Sequence, residues 1–486
     1  MLWCCQLSFA QQQITVGADD WIDYTAADGS GIYFELLKKI YPDLKINFKI
    51  QPLNKSIADF NAQKLDVIVG VYKHEVTHAL FPQWYLDTEY PLHAFYNKKE
   101  HTIDKLSDLI ALKPAWPFWY SFKHFLPTIQ QPLIVKSLTA GFDTLQKKQS
   151  DIFIEYDYNL PENIPTSIAS VEVLPAQQLY VAFQHNQFGR KLIKTFDKQM
   201  LSLRKQGFLA KLYGDQYPHT GLGEYVVNKQ KVTIYTNSVS LLSQPYSVTK
   251  NTKKEVNEGQ TLALLFNSLN GYQIEFKPFK NIAKMYQQGL GDNACFSDLI
   301  NTPKRSKEFW VSKPLSLFLG QKLYSNVPLK VKEPIDLQAL LNNEPQKRLG
   351  TINGRNYGQQ LDTILTKISR KQLIQSPVDI KTLFKQFKRN RFNLIIEYPL
   401  FEQYYNQNGH NKSLFSYSIA GADDYILGHM MCVKSAVGKH FIEQFNQLIE
   451  RYSQSVYFFN AQYQRVPAGN KAKFIQYFQQ TFPLLN

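Results

Sequence analysis

Cysteine is scarce in this chain, with four in 486 residues, so a small disulfide-stapled scaffold is excluded. No stretch approaches ~20 consecutive apolar residues, so no membrane-spanning helix is encoded. Glycine and proline, 23 of each, are scattered without period, which excludes collagen-like and low-complexity classes. Acidic residues are outnumbered, 40 Asp and Glu against 55 Lys and Arg, a net charge of +15. That excess is spread along the chain. Its densest run, Lys385-Gln386-Phe387-Lys388-Arg389-Asn390-Arg391, reads as the solvated face of a surface helix. Without a zinc-finger or RRM signature, no nucleic-acid partner is expected. Gly-x-Ser-x-Gly, His-Glu-x-x-His and P-loop patterns are also missing, so no catalytic motif, metal or cofactor is expected.

What is present is a globular composition, 44% hydrophobic and 20% charged, rich in Phe and Tyr. At ~100–200 residues per domain the length accommodates two to four domains. Met1 to Ala10 is short and apolar, and Ser8-Phe9-Ala10 followed by Gln11-Gln12-Gln13 resembles a signal-peptidase site. The charged leading segment is missing. Residues 1–12 read as a signal-peptide remnant, with the mature start expected near Gln11 and export to a periplasmic or secreted location. Cys4 and Cys5 would leave with that segment. Cys295 and Cys432 remain; they could pair in an oxidising compartment, and two buried free thiols are the expected outcome without geometry to support a bridge.

The chain repeats itself. Each half opens with a short strand pattern, Ile14-Thr15-Val16-Gly17 and Val232-Thr233-Ile234-Tyr235. A glycine then starts an amphipathic helix, at Gly31 through Ile40 and Gly259 through Phe266. Alternating strands follow, Ile46 to Ile50 and Gln273 to Lys277. Asp66-Val67-Ile68-Val69-Gly70 corresponds to Asp292-Asn293-Ala294-Cys295-Phe296, and Asp151-Ile152-Phe153-Ile154-Glu155-Tyr156 to Asn393-Leu394-Ile395-Ile396-Glu397-Tyr398. Phe188-Gly189 and Val437-Gly438 open the last matched helix, with Phe196 and Phe445 at the same step. The unit is about 220–250 residues of alternating strands and helices, which predicts parallel α/β sheets. Domain one spans 13–217, a Pro/Gly-rich linker 218–230, and domain two 231–486.

In this order and spacing the sequence resembles the family-three extracellular solute-binding proteins, the periplasmic receptors of polar amino-acid uptake. Thr302-Pro303-Lys304-Arg305, then Phe309 and Ser312-Lys313-Pro314, resemble the family's Thr-Pro-Glu-Arg and Phe-Ser-x-Pro elements. Leu349 through Gly358 resembles the glycine-bearing turn of the second lobe, and Asp28-Gly29-Ser30-Gly31 the loop before the first helix. The resemblance implies an α/β fold of two tandem periplasmic-binding-protein type II-like domains, each of two lobes joined by hinge strands. Mapped onto this chain, the first domain has one lobe at 13–96 and 185–217, and its other lobe at 97–184. The second domain has one lobe at 231–324, resumed after Met431, with its other lobe between.

The resemblance also implies a ligand site. Arg305 would grip an α-carboxylate with two parallel charge-assisted hydrogen bonds, and Thr302 would add a hydroxyl and a backbone N–H. In the first copy Lys73-His74-Glu75-Val76-Thr77 occupies the motif, with Thr77 in the arginine position. That domain has either lost amino-acid binding or binds something else. Glu155 and Glu397, ending equivalent strands, would either pair with a ligand ammonium or line the hinge. Trp21, Tyr24, Trp116, Trp119 and Tyr357 are the aromatic candidates for covering a ligand.

The expected function is non-catalytic binding of a small, amino-acid-like solute, in partnership with a membrane transporter or sensor. A sensory or scaffolding interaction protein, or a dehydratase-type enzyme on the same fold, are the competing classes.

Overall fold

The computed structural model describes residues 12–73, 75–120, 122, 126, 130–160, 164–236, 265–266, 268–278, 290–376, 380–400, 402 and 414–484. The signal-peptide reading at Met1–Ala10, most of the helix read from Gly259, and His74 lie outside the described residues.

The repeat is explicit in the sheets. In the first, Lys45–Ile50, Gln13–Ala18, Val67–Val71, Gln178–Gln184 and Ala79–Leu80 lie side by side. In the third, Tyr272–Pro278, Gln230–Thr236, Ala294–Ile300, Tyr425–Val433 and Phe309–Leu319 repeat that order. The second sheet runs Ile168–Leu174, Leu92–Asn97, Ile152–Tyr156, Pro114–Pro117, Leu133–Val135. The fourth matches it strand for strand, as Phe415–Ser418, Lys322–Ser325, Leu394–Glu397, Leu349–Ile352, Leu373–Ser376. The chain is α/β, built from two tandem two-lobed units.

The expected sheet direction and lobe boundaries need correction. The sheets are mixed rather than parallel: Gln178–Gln184 and Tyr425–Val433 run antiparallel to their neighbours, because the chain leaves each first lobe and re-enters it from the other side. For the same reason the lobe boundaries shift by a strand. Leu92–Asn97 and Lys322–Ser325 already belong to the second lobes, and Gln178–Gln184 and Tyr425–Val433 to the first. Apolar strands at a crossover are buried in either sheet, so their pattern does not say which one they join.

The crossing segments are tied together. Glu89 N–H donates to the Gln177 carbonyl (2.7 Å), and Gly320 N–H to the Asp424 carbonyl (2.8 Å). A Cβ at Gly320 would lie 1.9 Å from the Asp423 carbonyl oxygen, so only glycine allows this approach.

Helix Gln187–Lys205 and helix Ala436–Tyr452 are equivalent and are capped alike, Asn186 accepting from Gly189 N–H and Ser435 from Gly438 N–H. Phe196 and Phe445 are buried in the respective cores. The segment read as a linker is no tether. Tyr217–Thr220 is helical, and Leu222 and Tyr225 are buried in the first-lobe core, Tyr225 packing on Trp84 at 4.3 Å between ring centres. The basic run around Lys385 ends a helix, Ile380–Lys388, whose Leu383, Phe384 and Phe387 are buried.

The halves are packed on one another. Every residue of helix Val456–Tyr463 is buried, and the helix contacts Leu106–Ala111 and Ile168–Leu174 of the first half. Tyr452 Oη accepts from the Gln177 amide at 3.0 Å and lies 2.5 Å from the Ser268 hydroxyl.

Cys295 and Cys432 face each other on adjacent antiparallel strands and are joined as a disulfide. The expectation of free thiols is corrected: the two positions are 137 residues apart in sequence, and only the strand register brings them together.

Candidate functional site

Each half has a cleft between its lobes, at the carboxyl ends of the parallel strands, where open α/β sheets bind ligands. The two clefts are opposite in charge.

In the second half a cavity of 1090 Å³ is lined by Thr302, Lys304 and Arg305 on one side and by Thr351, Arg355, Tyr357, Asp362 and Arg370 on the other. Strand Ala294–Ile300 ends here and helix Pro303–Glu308 begins, with the Thr302 hydroxyl accepting from Arg305 N–H at 3.2 Å. Proline at the first helical position is preorganised for this turn. Arg305 Nη1 donates to the Ile300 carbonyl at 2.8 Å, fixing the guanidinium on the cleft wall. Burial lifts the Asp362 carboxyl above its ordinary pKa. Tyr357 N–H (3.0 Å), the Asn356 amide and the Arg305 charge oppose that rise.

Glu397 is fully buried, and its carboxylate is 2.5 Å from Arg355 Nη1. The Arg355 guanidinium lies over the rings of Tyr357 (5.5 Å) and Tyr398 (5.0 Å). Burial alone would lower its pKa, but Glu397 and the two tyrosines more than offset this and hold it charged. Glu397 therefore has its cation from within its own lobe. Tyr357 lies beside it, and its hydroxyl accepts from Ile352 N–H at 2.8 Å. Arg355 and Asp362 were not singled out from sequence. Arg355 stood inside the quoted Leu349–Gly358 motif, but nothing in the linear pattern pairs it with a residue 42 positions on.

In the first half a cavity of 770 Å³ is lined by Asp19, Asp20, Trp21, Asp23 and Glu75 from the first lobe, by Glu89 beside them, and by Phe118, Trp119, Tyr120 and Tyr158 from the second. Among the described residues no Lys or Arg lines it. Trp21 stacks on Tyr24 (4.2 Å), which is buried behind it. Trp119 is in the cleft, whereas Trp116 is core. Glu155 is fully buried behind Asn159: Oε1 accepts from Asn159 Nδ2 and Tyr156 N–H, and Oε2 has no hydrogen-bond partner among the described residues. Burial raises Glu155 and Glu75 to about 7 and Glu89 to about 8. Thr77 is outside this cavity, its N–H and hydroxyl both bonded to Asn61 Oδ1 (2.8 and 3.1 Å). Lys73 also turns away, its ammonium 4.3 Å over the Tyr180 ring. Glu75 and Glu89 were missed as site residues. Glu75 stood in the quoted Lys73–Thr77 segment, and Glu89 carried no signal.

Among the described residues no helix is long and apolar enough to cross a membrane.

The architecture is thus a tandem pair of two-lobed α/β units with the same strand order, each with an interlobe cleft. No family model and no curated protein matches the chain. Solved structures similar to it include the periplasmic domain of BvgS from B. pertussis, at 12% identity and TM-score 0.37, covering 96% of this chain and 93% of that one. A substrate-binding protein of an ABC uptake transporter from Streptococcus pneumoniae with bound histidine is 15% identical at TM-score 0.34, covering 43% of this chain and 93% of its own. A putative L-cystine ABC transporter protein from Listeria monocytogenes is 20% identical at TM-score 0.34, covering 43% of this chain and 96% of that one.

Proposed function

We propose that this protein is a non-catalytic receptor for small solutes, and that its second-half cleft takes a carboxylate-bearing, amino-acid-like ligand. The observation that carries this is Arg305: its guanidinium is fixed at the wall of a cavity of small-solute size, opposite Arg355, Tyr357 and Asp362. A planar guanidinium recognises a carboxylate with directional, charge-assisted bonds, and Asp362 supplies the opposite charge that an ammonium group would meet. Thr302, Tyr357 and the Arg355–Glu397 pair shape the same wall. In this reading Glu397 acts through Arg355 rather than by touching the ligand.

The Cys295–Cys432 disulfide supports residence in an oxidising compartment, in keeping with a periplasmic or secreted location. Interlobe clefts of this kind close on their ligand by hinge motion, and a transporter or sensor would read the closed state. The buried helix Val456–Tyr463, shared between the halves, favours the sensory version as second reading, since movement in one half is felt by the other.

A thermal-shift screen of amino acids and small carboxylates tests the proposal, because a ligand of the native state raises apparent stability. A ligand whose stabilisation survives Arg305→Ala, or a screen in which substrate is converted to product, would count against it.

A further inference from the structure

The first-half cleft carries a charge pattern that no carboxylate-bearing ligand suits. Asp19, Asp20, Asp23 and Glu75 of the first lobe and Glu89 beside them reach it. Glu75 caps the turn after strand Val67–Val71, accepting from Tyr72 N–H at 2.8 Å. Glu89 stands on the crossing segment between the lobes. Behind this wall are two more carboxyls: Asp87, 3.4 Å from the Tyr33 hydroxyl, and Glu155, whose fully buried Oε2 has no hydrogen-bond partner among the described residues. Among the described residues the cleft offers no Lys or Arg to balance them. Partly buried carboxylates without a cation are costly, and they either stay protonated or wait for a partner. The raised pKa values of Glu75, Glu89 and Glu155 express that cost.

Facing the acids, the second lobe presents aromatic surface. Phe118 is 65% exposed and Trp119 is 39% exposed, both on the cavity wall with Tyr120 and Tyr158. Large rings left open on one side of a cleft, with carboxylates on the other, form the two halves of a cation-binding cage. The 770 Å³ volume is that of a small-molecule site.

We infer that the first-half cleft binds an organic cation lacking a carboxylate, an amine or guanidine held between the Glu75 and Glu89 carboxylates and the rings of Trp21 and Trp119. A zwitterionic amino acid fits poorly, since its carboxylate would meet five acidic groups and, among the described residues, no arginine. The loss of the guanidinium at Thr77 is then a change of ligand charge. This site is independent of Arg305 and of the ligand proposed for the second half.

The test is calorimetry on the full chain with agmatine, putrescine, tyramine and choline, and with arginine as the carboxylate-bearing counterpart of agmatine. At least one of the four cations should bind, and Glu75→Gln/Glu89→Gln should weaken it by ten-fold or more while Arg305→Ala leaves it unchanged. Trp119→Ala, a change at an exposed ring, should weaken it by several-fold with the melting temperature preserved. No binding by any of the four, binding that survives both acid and ring variants, or arginine binding that is unchanged by Arg305→Ala yet tighter than agmatine would overturn the inference. Loss of binding only in Arg305→Ala would place the cation in the second-half cleft and overturn it equally. Failure of every amino acid to bind, with a cation still bound, would remove the second-half reading and leave this one standing.

Discussion

Arg355, partly exposed on the wall of the second-half cleft, pairs with the fully buried Glu397, Nη1 to Oε1 2.5 Å. The equivalent acid of the first half, Glu155, ends the matching strand and has an amide, Asn159, where the other has a guanidinium. One repeat unit thus carries two settings for the same buried carboxylate.

Removing one partner of that pair leaves the other charge buried alone. Arg355→Ala should cost ~3–5 kcal/mol in stability, read by denaturant unfolding. The double change Arg355→Met with Glu397→Leu should cost much less than either single change. Equal losses in single and double variants would show that the side chains matter by volume and not by charge.

Arg305→Ala should weaken binding of a carboxylate-bearing ligand by ~2–5 kcal/mol, roughly 30-fold to several thousand-fold. Thr77→Ala, at a residue bonded to Asn61 outside the first-half cavity, should leave that affinity unchanged. Titration calorimetry on the two variants reads both, and an unchanged Arg305→Ala affinity would remove the carboxylate assignment.

Reducing Cys295–Cys432, or replacing both by serine, should destabilise the second half by ~2–5 kcal/mol, because the bond closes a long loop of the unfolded chain. A melting curve with and without reductant measures it. No shift on reduction would mean that the strand pair holds without the bond.

Asp87 and Glu75 are raised to about 7 and Glu89 to about 8, in each case first by burial. The folded state therefore keeps protons that the unfolded chain, with carboxyls near ~4, has already lost. Stability from these groups is complete below pH ~4 and falls as pH rises through 7 to 8. His93, His219 and His429 are held below their ordinary value by burial, so their opposite contribution is spent by about pH 7.5. Lys73 and Lys229, lowered to about 8 by burial, act the opposite way above pH 7.5, so the readout is the difference between variants: from pH 5 to 8, Glu89→Gln should lose less stability with rising pH than the wild type. Parallel profiles for wild type and variant would locate the pH dependence elsewhere.

The sequence by itself determined the repeat and the class of fold. Apolar periodicity at Gln13–Ala18, Val67–Val71 and Ile152–Tyr156 marks buried strands, and its recurrence in the same order fixes two like units, because burial of strands and helix faces is written locally. It also marked Arg305 and Thr302, through the family resemblance carried by Thr302-Pro303-Lys304-Arg305. Tertiary structure alone decided which lobe the crossover strands Leu92–Asn97 and Lys322–Ser325 join, that Cys432 meets Cys295, that the segment after Tyr217 packs into the first core, and that Arg355 and not a ligand neutralises Glu397. It also brought Glu75 and Glu89 together in a cleft without a described cation. Each of these is a contact between residues distant along the chain. Their energies depend on register, burial and neighbouring charge, quantities that exist only once the lobes have formed.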